Sequence, residues 1–121
     1  TSAKTGHVLD LTVREVDAFD LQERTWRTLP SPLPTGRAGT STIVLGDELV
    51  VLGGESGTQV PAHAEVEALD VARGTWRPLA PLPRGRHGTG AVVVEGRILT
   101  VAGSGNRGGG PELDSLERWS P

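Results

Sequence analysis

Pro32-Leu33-Pro34-Thr35-Gly36-Arg37-Ala38-Gly39-Thr40 returns as Pro81-Leu82-Pro83-Arg84-Gly85-Arg86-His87-Gly88-Thr89, and this recurrence decides how the rest of the chain is read. Upstream of it, Thr25-Trp26-Arg27-Thr28-Leu29 aligns with Thr75-Trp76-Arg77-Pro78-Leu79, and Val16-Asp17-Ala18-Phe19-Asp20-Leu21 with Val66-Glu67-Ala68-Leu69-Asp70-Val71, both fifty residues apart. A third copy starts at Leu116-Glu117-Arg118-Trp119-Ser120, matching Val66-Glu67-Ala68-Leu69-Asp70. A period of this length marks a repeat architecture, in which each unit buries its apolar face only against its neighbours.

Within one period the apolar runs predict four strands, near 41–45, 48–53, 64–70 and 75–79, and the next period predicts three more near 90–94, 97–102 and 114–119. Gly46-Asp47 and Glu95-Gly96 stand where tight hairpins need residues that tolerate positive φ, so neighbouring strands are expected to be antiparallel. Ile43-Val44-Leu45 and Val50-Val51-Leu52 are apolar on both faces, as strands sandwiched between sheets would be. No segment has a helical period, and the fold class is all-β.

Composition narrows the function. With 12 Lys and Arg against 15 Asp and Glu, a net charge of −3 and a single Lys, Lys4, the chain lacks the basic surface that nucleic acid requires. There is no Cys, which rules out disulfides, a thiolate nucleophile and Cys-bound zinc. No long apolar window or signal-like amino terminus occurs, so the expectation is a soluble chain without a membrane partner. Met is also absent, and without an initiator Met the sequence is expected to be processed or to be an excerpt of a longer one.

Taken together these residues resemble the kelch repeat family, over nearly the whole chain. The marks are the Gly53-Gly54 pair ending the second strand, an aromatic followed seven residues later by Trp (Phe19 to Trp26), an Asp after that aromatic, and a Pro-x-x-Arg or Pro-Arg approach to the first strand. Ala102-Gly103 departs from the pair in the second copy and Leu69 from the aromatic, while Trp119 fills the aromatic position in the third. The resemblance implies four-stranded antiparallel propeller blades: the end of one blade in residues 1–30, a complete blade in 31–79, and a blade lacking its last strand in 80–121. Trp26 and Trp76 are then expected to fill the gaps between blades. An incomplete ring implies further blades from the same or another chain as partners, because few stacked repeats are stable alone.

Gly103-Ser104-Gly105-Asn106-Arg107-Gly108 is a literal G-x-G-x-x-G after a strand. A dinucleotide site needs a helix opening at the last Gly, yet Gly109-Gly110-Pro111 follows, so the stretch reads as a loop and no cofactor is expected. His7, His63 and His87 have no metal-ligand spacing, and no nucleophile elbow or P-loop occurs. The carboxylates Glu65, Glu67, Asp70, Glu112, Asp114 and Glu117 are expected on a solvated strand face rather than as an acid–base pair. Kelch oxidases use Tyr and Cys at a copper site, and this chain contains neither.

By the same resemblance, arginines at the start of the innermost strand and in the loop after the Gly pair face the channel mouth and grip acidic ligands. Arg86, with Arg37 as its counterpart one repeat earlier, matches the first position, Arg107 lies in the second kind of loop, and Arg84 joins the candidate set two residues before Arg86. A guanidinium there would hold a carboxylate through two parallel hydrogen bonds. The alternative is that these arginines bond carbonyls within the blades. The function expected is a noncatalytic binding module for an acidic peptide or a carbohydrate. A mutarotase-like carbohydrate enzyme and a purely structural propeller segment are the alternatives.

Overall fold

A computed structural model of the chain describes residues 13–120, so Lys4 and His7 lie outside the described residues. Nine strands occur in them, and no helix: β1 (Asp17–Asp20), β2 (Thr25–Thr28), β3 (Ser41–Leu45), β4 (Glu48–Leu52), β5 (Val66–Asp70), β6 (Thr75–Pro78), β7 (Gly90–Val94), β8 (Arg97–Val101) and β9 (Leu116–Trp119). They form three antiparallel sheets, β1-β2, β3-β4-β5-β6 and β7-β8-β9. The Glu95-Gly96 hairpin has positive φ at both residues, 51° and 71°, as a type I′ turn needs.

Strand alternation sorts the apolar residues of β4 and β5 to two sides. Val50, Leu52, Val66 and Ala68 share one face of the four-stranded sheet and meet Leu82, Ile98 and Trp119 of the next unit in a single buried cluster. Each of the larger aliphatic side chains in it contributes about 2 kcal/mol by leaving water. Ile98 and Trp119 are cross-strand partners, and Thr100 and Glu117 follow them on the same face. The core is therefore the interface between two successive sheets, as the fifty-residue period required.

Sheets are also joined through the backbone. Gly54 N–H donates to Arg86 O at 2.8 Å, and Leu82 N–H donates to Ala64 O at 2.8 Å. At the inner edges, Gly88 N–H reaches Gly39 O at 3.0 Å and the Ser41 hydroxyl donates to Thr89 O. Gly53 and Gly54 have φ of 65° and 113°, and a Cβ on Gly53 would collide with Arg86 O of the next unit. Only glycine fits both the dihedral and the approach of the next sheet. In the following unit Ala102 takes the Gly53 place with φ of 59°, a conformation that disfavours a Cβ, and Gly103 keeps φ of 97°.

Trp76 is half-buried, and its Nε1–H donates at 3.0 Å to Ser31 O in the segment that enters the same blade. Trp26 instead is 71% exposed and stacks at a tilt on Phe19, with ring centroids 5.0 Å apart.

Candidate functional site

Because β3 and β4 are antiparallel, the approach to the first strand and the loop after the second lie at one end of the sheets. That end gathers residues 34–40 and 83–89 with the loops 53–65 and 102–115. The two loops bond each other: Ala62 N–H donates to Gly105 O and Arg107 N–H to Val60 O, both at 2.8 Å.

The four arginines marked in the sequence all fall at this end, but they divide into two kinds. Arg37 points inward. Its Nε–H donates to Gly53 O at 2.6 Å, Nη1 to Thr35 O at 2.9 Å and Nη2 to Val51 O at 3.1 Å, while Nη1 meets Glu67 Oε2 at 2.5 Å. Arg86 repeats the pattern one unit later, donating to Ala102 O at 3.0 Å and Ser115 Oγ at 3.0 Å and pairing with Glu117 Oε1 at 2.7 Å. Both guanidinium side chains are fully shielded from solvent. The planar fork satisfies strand-end carbonyls that the ladder leaves free, and the carboxylate compensates the buried charge.

Arg84 and Arg107 are exposed. Arg107 Nη1 donates to Gly57 O at 2.8 Å, tying one loop to the other. Arg84 makes no hydrogen bond among the described residues and lies over Gly105, within 3.2 Å of where a Cβ there would stand.

The carboxylates also divide. Against the expectation of a solvated face, Glu67 is buried, because Arg37 and the Thr35 hydroxyl, at 2.7 Å, replace its hydration. Glu117 turns in toward Arg86 in the same way. Glu112 and Asp114 are exposed.

A further constellation carries no sequence signal. His63 sits with Nδ1 at 2.9 Å from Glu65 Oε2 and Nε2 at 2.7 Å from Ser56 Oγ. Burial pushes the Glu65 carboxyl up, but hydrogen bonds from its own backbone N–H and from His63, with the charge of Arg37, outweigh this and hold it below the usual range. Carboxylate, imidazole and hydroxyl in this order resemble a nucleophile relay. Ser56 and His63 are buried, however, and the Ser56 hydroxyl also engages Thr58 Oγ1 at 2.8 Å, so these bonds tie the loop together. The residues lie seven and two apart around a loop, a spacing with no motif. His87 Nε2 is 2.8 Å from Asn106 O and 3.6 Å from Glu55 Oε2, which accepts Gly108 N–H at 2.6 Å. No group of three or more His, Asp or Glu is placed to share a metal ion among the described residues.

Gly103 to Gly108 is a loop whose Gly105 N–H donates to Pro111 O at 3.0 Å, and no helix opens after it. Sheets of repeating antiparallel strands, stacked face to face with glycines at the second-strand ends, define propeller blades. Residues 36–83 match the family model of the Kelch motif. Residues 36–83 thus carry a kelch motif, the antiparallel sheets are those of incomplete kelch-type blades, and kelch repeats in general serve as interaction modules. Among curated proteins, none matches the chain.

Proposed function

We propose that the loop end of this module holds an acidic ligand, a carboxylate-bearing peptide or carbohydrate, without chemical conversion. Arg84 and Arg107 make the contacts, while Arg37 and Arg86 hold the approach segments and strand ends that shape the mouth. The observation that carries the reading is the exposed guanidinium of Arg84 above the Gly105 loop, without a hydrogen-bond partner among the described residues, with Arg107 exposed on the same loop. Two planar forks on a scaffold of bonded loops can each take a carboxylate with little ordering cost.

Titration with a glutamate decapeptide and with an oligogalacturonate tests this. Binding of either ligand is expected to weaken about tenfold or more in the Arg84→Ala/Arg107→Ala double variant and with added salt, but not in Arg97→Ala at the hairpin end. Undiminished binding in the double variant, or binding of neither probe, contradicts the reading.

A further inference from the structure

The second and third sheets carry the same buried ion pair, yet only one of the two networks is complete. Among the described residues, four buried side-chain atoms have no hydrogen-bond partner in the protein: Arg86 Nε, Thr100 Oγ1, Glu117 Oε2 and Trp119 Nε1. All belong to the third unit.

The difference has a residue-level cause. In the second unit Thr35 donates its hydroxyl to Glu67 Oε1 at 2.7 Å, and Arg37 Nε reaches Gly53 O. One repeat later the Thr35 place is taken by Arg84, which turns out to solvent and offers Glu117 no hydroxyl. The cross-strand neighbour changes as well. Glu67 faces Val51, whereas Glu117 faces Thr100 in the same register, adding a second buried hydroxyl. Thr100 and Glu117 lie on the face of the third sheet that carries Ile98 and Trp119 against the second.

The structure assigns Arg86 Nε, Thr100 Oγ1 and Glu117 Oε2 as a buried socket for one hydroxyl group supplied from outside the protein. The group must accept from the Arg86 N–H and donate to the Glu117 carboxylate, and an alcohol or water oxygen does both in one atom. A carboxylate would bring a second negative charge against Glu117, and an ammonium a second positive charge against Arg86. Access is from the Glu117 side, whose side chain is 18% exposed while that of Arg86 is fully enclosed. This socket is independent of the acidic-ligand reading, which rests on the outward guanidiniums.

NMR of the intact labelled chain, with water and glycerol as probes, tests the assignment. A water cross-peak to the Thr100 methyl, or a glycerol-dependent shift of the Arg86 Nε–H resonance, is expected in the native protein. Both should be lost in Arg84→Thr, which restores the hydroxyl that Thr35 provides. Thr100→Val, which copies Val51, is expected to lower the melting temperature by several degrees. The water contact alone identifies solvent as occupant, and a glycerol shift identifies a ligand alcohol; either supports the socket. Absence of both contacts overturns it, as would a melting temperature raised by Thr100→Val, since that is what removing an unsatisfied hydroxyl does.

Discussion

Arg37 Nη1 lies 2.5 Å from Glu67 Oε2, with neither side chain more than a tenth exposed, so the pair bolts the approach to β3 onto the middle of β5. The same bolt recurs between Arg86 and Glu117 at 2.7 Å. What looks in sequence like a row of ligand-binding arginines is thus half framework and half surface.

Removing one partner of that bolt should be costly. Arg37→Ala leaves Glu67 buried with only the hydroxyl and N–H of Thr35 to bond it, and a loss of about 3 kcal/mol is expected in urea unfolding. Arg97→Ala, on an exposed position near a hairpin, should change stability by less than about 0.5 kcal/mol.

Backbone conformation makes opposite substitutions at the two second-strand ends informative. Ala102→Gly relieves a positive φ and should stabilise by about 1 kcal/mol. Gly54→Ala places a Cβ against Ala38 O at positive φ and should destabilise by about 2 kcal/mol or more. Thermal unfolding of both variants checks the pair.

Acid sensitivity follows from Glu48. The Arg77 guanidinium donates to it at 2.6 and 2.8 Å and holds its carboxyl below the usual glutamate range. A depressed folded value means that this contribution is present above the ordinary glutamate pKa and lost as pH falls through the lower, folded one. NMR titration should place the Glu48 midpoint below that of a free glutamate, and Arg77→Ala should return it upward.

The two repeat tryptophans should respond differently. Trp76→Phe removes the bond to Ser31 O and is expected to cost about 1 kcal/mol. Trp26→Phe, at an exposed ring, should change stability by less than about 0.5 kcal/mol in the same unfolding experiment.

The strands were legible because alternation and the fifty-residue period report on burial and turns directly. The reading near 41–45 and 90–94 coincides with β3 and β7, and the longer reading of 64–70 loses only its first two residues to the loop. Side-chain direction was not legible in the same way. Arg84 and Arg86 are separated by one glycine, yet one is exposed and the other enclosed, because only Arg86 has Ala102 O and Glu117 within reach. Those partners, one just past β8 and one on β9, lie sixteen and thirty-one residues away in sequence. The Ser56, His63 and Glu65 relay was hidden for the same reason: loop curvature, and no periodicity, brings it together.

Solvent exchange of the arginine side-chain N–H groups, followed by NMR on the intact chain, tests most directly that two arginines are framework and two are surface. Arg37 and Arg86 should exchange far more slowly than Arg84 and Arg107. Equal, rapid exchange at all four would contradict the buried ion pairs and the division of labour built on them.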